Sequence, residues 1–309
     1  HSSQKASKYI SKFTGSRGTR FGIVTIFNHK IIRMQVRFAE SPTETLQLGT
    51  EDLRNRFLIE QLFQKNSLQL TYSHYDRMII GGVMPVEKQV ELSNPAELRA
   101  EYFLERREMG IINVGGDGTI VADGTSFDLA KMDCLYLGKG VKSVSFNSKN
   151  NAAPALYYFL SSPAHQTYPI AICRKDEAQP VDLGAVETAN KRTVYKYIHL
   201  EGIKSCQLVM GLTSMHEGSV WNSVPPHTHT RRMEVYFYFD LATDHRIFHF
   251  MGEPQSTRHL VVANHEAVIS APWSMHFGCG TSHYSFIWGM AGENLVYSDM
   301  DPAPIATLK

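Results

Sequence analysis

Hydrophobic and polar positions alternate along most of this chain after Met34. Short runs recur between turns rich in Gly, Asp and Asn: "QLTYSHYD", "GIINVGG", "GTIVADG", "DCLYLGKG", "KSVSFNS" and "ALYYFLSS". A period of two over about four to eight residues marks a strand, and turn-bounded strands at this spacing predict a β-sandwich or barrel, not a βαβ sheet. "VADGTS" (Val121–Ser126) places an Asp-Gly turn between two such runs, a strong hairpin signal. "GGDGT" (Gly115–Thr119) has the glycines of a phosphate loop without its lysine or helix, and reads as another turn. One early segment has helical character: "GTEDLRNRFLIEQLF", with Thr50 or Asp52 as its N-cap.

A polar stretch, "DEAQPVDLGAVETANKR" (Asp176–Arg192), interrupts the strands and predicts a linker. Beyond it the pattern resumes in "CQLVMGLTSM", "EVYFYFD", "RIFHFMG", "RHLVVAN", "AVISAP" and "SFIWGMAG". The expected architecture is all-β: two similar barrels in tandem with a few short helices. The expected units are residues 37–178 and residues 190–309, preceded by an extension over residues 1–36. That extension is basic and free of acidic residues through Met34. It reads as an expression scar or an overextended start with Met34 as the true first residue, and otherwise as a targeting segment.

Composition narrows the function. The 309 residues are 43% hydrophobic and 20% charged, the balance of a globular protein, and the net charge of +1 offers no basic field for nucleic acid. No apolar run reaches the roughly 18 to 20 residues that cross a bilayer. Cys134, Cys173, Cys206 and Cys279 are scattered and form no CxxC pair, which predicts reduced thiols in a cytoplasmic protein, with neither a disulfide framework nor a thiolate metal site.

The chemistry concentrates in "PPHTHTRRMEVYFYFD" (Pro225–Asp240). His227 and His229 stand two apart, so on an extended chain both imidazoles leave the same face. Glu234 follows after a span long enough to turn into the next strand. His276, in "APWSMHFGCG", is the best candidate for a fourth ligand, because it follows a strand and precedes a glycine-rich turn. Any one histidine among the 14 is unremarkable, but the spacing H-x-H-x4-E with a late histidine is hard to reach by accident. Two neutral imidazoles and a carboxylate suit zinc, iron(II), manganese or nickel, with positions left for a substrate.

That spacing is the metal signature of the cupin superfamily. Together with "YFLERREMGIINVGG", "LYLGKG", "SPAHQTYP", "SCQLVMGLT", "GEPQSTRHLVV" and "GTSHYSFIWGMAGEN", it resembles the 5-dehydro-4-deoxy-D-glucuronate isomerase family, the ketol-isomerases of bacterial pectin breakdown. The resemblance runs from about Arg37 to the C-terminus. Pro226 and Thr230 stand where the family usually has Cys and Glu around the first metal motif. The resemblance implies a bicupin binding one Zn2+ per subunit through His227, His229, Glu234 and His276, with a metal-free N-terminal barrel and a homohexameric assembly. It implies a small-molecule deoxy-keto-uronate substrate, 5-dehydro-4-deoxy-D-glucuronate, isomerised to 3-deoxy-D-glycero-2,5-hexodiulosonate.

Such a reaction must polarise a carbonyl, move a proton between neighbouring carbons and hold a carboxylate. Glu105 and Glu108 of "LERRE", and His283, are candidate bases. Arg231 and Arg232 are candidate carboxylate ligands, with Arg232 preferred because it shares the parity of Glu234; Tyr236 and Tyr238 continue that face toward the substrate. The same metal ligands would equally serve an iron oxygenase, a non-catalytic sugar-binding cupin or the uronate isomerase of inositol catabolism.

Overall fold

The structure, a computed structural model, describes residues 34–309, and the expectations for residues 1–33 lie outside the described residues. The described chain opens with β1 (Gln35–Arg37), helices α1 (Pro42–Thr45) and α2 (Thr50–Phe57), and β2 (Leu58–Ile59). A first run of strands follows: β3 (Ser67–Ser73), β4 (Ile79–Met84), β5 (Val90–Glu91), β6 (Arg107–Asn113), β7 (Gly118–Ala122) and β8 (Thr125–Leu129). It continues with β9 (Cys134–Leu137), β10 (Val144–Ser148), β11 (Tyr157–Pro163) and β12 (Ala171–Cys173). After β13 (Val181–Leu183), inside the predicted linker, come β14 (Arg192–Ile198), β15 (Val209–Met215), β16 (Trp221–Asn222), β17 (His227–Thr228) and β18 (Arg232–Phe239). The last strands are β19 (Ile247–Glu253), β20 (Ser256–Val262), β21 (Ala267–Ser270), β22 (Phe277–Gly280), β23 (Ser285–Gly292) and β24 (Asp301–Pro302).

The strand order repeats. β3-β4-β11-β6-β9 lie side by side in one seven-stranded sheet, and β14-β15-β23-β18-β21 in the other. The four-stranded sheets run β5-β10-β7-β8 and β16-β22-β19-β20. Position by position, each of these strands has a counterpart met in the same chain order, so one folding pattern occurs twice. The all-β reading therefore holds. Each half is built on a pair of open sheets, however, with β17 and β24 forming a separate two-stranded ribbon in the second, and no sheet among the described residues closes on itself. Small and large sheets meet through aromatic packing, as where Phe146 of β10 stacks on Phe159 of β11 with centroids 6.5 Å apart.

Local signals behaved as their chemistry requires. Asp123 and Gly124 both take positive φ (45° and 82°), the left-handed pair that a two-residue hairpin between β7 and β8 demands. The helix differs at both ends from its sequence reading. Gly49 is the N-cap, so Thr50 and Asp52 are already helical, and Leu58 leaves the helix extended because it pairs with Val268 of β21. Thus β2, from the first half of the chain, edges the second half's sheet.

The halves share one core. Tyr158 of β11 stacks on Phe237 of β18 at 4.3 Å, and Leu160 occupies the space where a side chain on Gly289 would stand. Glu108 of β6 crosses the same boundary. Its fully buried carboxylate accepts hydrogen bonds from the backbone N–H groups of Cys206, Gln207 and Leu208 at 2.7, 2.8 and 3.0 Å, and from Tyr136 and Ser162 hydroxyls at 2.7 and 3.1 Å. A charge this deep is tolerable because it is so fully solvated by donors. Glu108 is accordingly a tie between halves, not the base that its sequence context suggested.

Replacing Glu108 with Ala strands those donors and is expected to cost about 3 to 5 kcal/mol of unfolding free energy. Glu108→Gln, which keeps one acceptor oxygen, is expected to cost less. Urea unfolding of both variants measures this, and an alanine variant as stable as the parent would remove the tie from the account.

Candidate metal centre

Three features bring the ligands together. β17 pairs with β24, His227 opposite Pro302, which pins His227 at the rim. The chain then turns: Arg232 N–H donates to the His229 carbonyl at 3.0 Å, and His229 Nδ1 returns to the Arg232 carbonyl at 2.9 Å. This turn feeds β18, where Glu234 lies between Ser270 of β21 and Met290 of β23. His276 follows β21 and is fully buried. One nitrogen or oxygen from each of His227, His229, Glu234 and His276 lies within 4.8 Å of the others.

The protonation of this cluster decides what it can hold. His229 Nδ1 faces a carbonyl, as does His276 Nδ1, which contacts the Ser274 carbonyl at 3.3 Å and Ser270 Oγ at 3.0 Å. A carbonyl only accepts, so both rings carry hydrogen on Nδ1 and, when neutral, a lone pair on Nε2. Those Nε2 atoms lie 3.0 and 2.7 Å from the same Glu234 oxygen, and His276 Nε2 lies 3.1 Å from His227 Nε2. A carboxylate and imidazole nitrogens converging in a buried space are held together by a positive charge, either protons on Nε2 donated to Glu234 or a metal ion in their place. The donor set fits a divalent metal, and the Nδ1 contacts are the outer hydrogen bonds that orient metal-binding imidazoles. Burial and then the neighbouring His276 push His227 down to about 3. Glu234 is held well below the usual carboxylate range: burial works the other way, and His276 and His229 overcome it.

A cavity of about 250 Å³ opens beside the cluster. His227 and Glu234 form part of its wall, so a cation there would be reachable from the cavity. Tyr236, Ser223, Thr213, Tyr297, Trp288 and Arg192 line the rest, with Tyr236 and Ser223 hydroxyls joined at 2.7 Å. A larger hollow of about 440 Å³ in the first half, against Tyr72, His74, Arg77 and Arg107, has no comparable ligand group among the described residues.

The other sequence candidates separate on this geometry. Tyr236 lines the cavity. Tyr238 does not: it is fully buried and bonded to His249 Nδ1 at 2.7 Å. Arg232 is inward and buried, as its parity predicted, but it reaches past the cavity to the carbonyls of Val296 and Asp299 at 2.8 and 2.9 Å. Arg231 binds Asp299 and Asp301, and its hydrogen bonds help hold Asp299 down to about 2. Neither arginine lines the cavity. Glu105 accepts from the Glu101 N–H in an outlying turn, Glu108 lies at the boundary between halves, and His283 is exposed. None of these three is brought to the site. Arg192 and Tyr297 were missed. Alternation along "RTVYKYI" does put Arg192 and Val194 on one face, but which face meets the cavity depends on a pairing that lies outside the motif.

Comparison with known proteins bears on the family and the fold. The chain matches the KduI/IolB family over residues 57–305. It is 49% identical over 276 residues to the 4-deoxy-L-threo-5-hexosulose-uronate ketol-isomerase of Shouchella clausii, covering 89% of this chain and 100% of that protein. The enzyme of the same name from Pectobacterium carotovorum is 50% identical over 278 residues, again 89% of this chain and 100% of the relative. Among solved structures, an IolB-like protein from Salmonella typhimurium aligns with a TM-score of 0.56 at 15% identity, over 71% of this chain and 85% of that one. Oxalate decarboxylase from Lactobacillus farciminis aligns at 0.51 and 10% identity, over 72% and 79%. At such identities these two speak for the fold alone, which is cupin-like.

Ser270→Ala removes the closer of the two contacts that aim His276. It is expected to weaken metal binding by about 10- to 100-fold, as outer-contact losses do elsewhere, while His276→Ala loses the ion. Competition against a fluorescent chelator measures both. An unchanged affinity in S270A would leave the Ser274 carbonyl as sufficient to orient the ring.

Proposed function

This chain belongs to the KduI/IolB family, and from that premise we propose that it is a zinc-dependent ketol-isomerase of pectin-derived uronates. Its substrate on this reading is 5-dehydro-4-deoxy-D-glucuronate, the hexosulose uronate of its relatives' name under another system, and its product is 3-deoxy-D-glycero-2,5-hexodiulosonate. The observation that carries the reading is the convergence of His227, His229, Glu234 and His276 on one point beside a cavity, in a chain about half identical to ketol-isomerases over its relatives' full length.

A divalent cation at this point supplies charge stabilisation for the oxygen that turns anionic when a proton leaves the adjacent carbon. Zinc is favoured by three imidazoles and one carboxylate with no redox demand. The chain's own residues do the rest. Glu234 and His227 face the cavity and fix where the carbonyl end lies, while Trp288, Phe286 and Met290 restrict water around it. With Glu105, Glu108 and His283 away from the site, proton transfer falls to cavity hydroxyls or to solvent. The Ser223–Tyr236 pair lines the cavity with the ligands and is already joined by a hydrogen bond, which makes it the candidate relay.

The remaining expectations join this reading. Two cupin barrels in tandem, over residues 37–178 and 190–309, are supported by the repeated strand order. A cytoplasmic setting is supported by four free thiols, none of them in a disulfide. The hexamer comes from the family resemblance, and light scattering tests it.

The protein is expected to isomerise freshly prepared 5-dehydro-4-deoxy-D-glucuronate, to lose turnover on chelation and regain it with zinc, and to contain one zinc per chain by elemental analysis. Absence of turnover in zinc-loaded protein would reject the reading. Run in deuterated water, the reaction is expected to place solvent deuterium on the carbon that receives the proton; a product free of deuterium would instead mark a hydride shift.

A further inference from the structure

We propose that Arg192 holds the substrate's carboxylate and thereby sets the preference of this site for uronates over neutral sugars. The inference rests on the isomerase reading, which requires a ligand with a carbonyl at one end of a six-carbon chain and a carboxylate at the other. The structure has a cation site for the first, and needs a second positive group for the other.

The two arginines beside the ligands are engaged elsewhere. Arg232 spends two guanidinium nitrogens on the carbonyls of Val296 and Asp299, and Arg231 is paired with Asp299 and Asp301. Arg192 is not so engaged. Among the described residues its guanidinium makes one hydrogen bond, from Nη1 to the Asn190 carbonyl at 2.9 Å, and no carboxylate pairs with it. It lines the same cavity as His227 and Glu234, where it is the one lysine or arginine among the lining residues.

Its surroundings suit an anion. Val194, Phe286, Trp288 and Met290 supply apolar wall, where a charged hydrogen bond is stronger than in open water. Nε and Nη2 keep the planar fork that a carboxylate matches with two bonds. Tyr297 lines the same cavity. A carboxylate at Arg192 with the carbonyl end toward His227 and Glu234 keeps the substrate chain within that one cavity.

The test uses the full-length zinc-loaded protein with Arg192→Gln and Arg192→Lys, and two readouts. In the first, KM for the uronate is expected to rise about 10- to 100-fold in R192Q, the usual loss for a hydrogen bond to a charge, with kcat and zinc content much less changed. R192K, which keeps charge but not the fork, is expected to fall between. In the second, calorimetry compares L-gulonate, a carboxylate that cannot isomerise, with D-glucitol, which has an alcohol in its place. The parent is expected to prefer gulonate, and R192Q to lose that preference. Turnover with an unchanged KM in R192Q, or a gulonate preference that survives in it, would overturn the proposal while leaving the isomerase standing. A parent that binds gulonate through Arg192 but does not turn over the uronate would do the reverse.

Discussion

Lone pairs repel one another, and this protein forces several of them together. The carbonyls of Arg232 and Ser274 each claim the Nδ1 hydrogen of an imidazole, and so turn the bare Nε2 of His229 and of His276 toward a single carboxylate oxygen. Protons on those nitrogens can bridge the cluster to Glu234, and a metal ion can take their place in a site whose ligands are already gathered. The architecture around it follows from that constraint: a turn to close between His229 and Arg232, a central strand to bury Glu234, and an adjoining strand to bring Ser270 and His276 alongside.

The C-terminal segment completes what the sheets begin. β24 pairs with β17 and fixes the backbone of His227, Arg232 ties the same segment down through two of its carbonyls, and Arg231 clamps its aspartates. Tyr297 and Met300 from this segment then form part of the cavity wall. The Arg-Arg pair therefore acts as a fastener for the wall, a role for which two guanidinium groups with several donors each are well suited.

How much of this was legible in advance depended on distance along the chain. Strands, the Asp123-Gly124 hairpin and the His-x-His-x4-Glu spacing are encoded within a few residues, and all were readable. The parity argument correctly turned Arg232 inward, but the partners that occupy it lie some sixty residues later. Glu108 looked like a reactive acid because nothing near it in sequence reveals that residues 206–208 will meet it with three amide hydrogens. Helix α2 ends where a strand synthesised much later draws Leu58 into its sheet. In each case a long-range partner decided the outcome, and a single sequence does not name its long-range partners.

That last pairing has a consequence for biosynthesis. Ile59 is matched with Ala267, so an edge of the second sheet is made about 200 residues before its neighbour. At about 5 to 20 residues per second, roughly 10 to 40 s separate the two. During that interval Leu58 and Ile59, both buried in the finished protein, lack the strand with which they pair. The nascent chain thus carries an apolar segment until the residues of β21 are made, and the metal-binding half cannot close its sheet edge from its own residues alone.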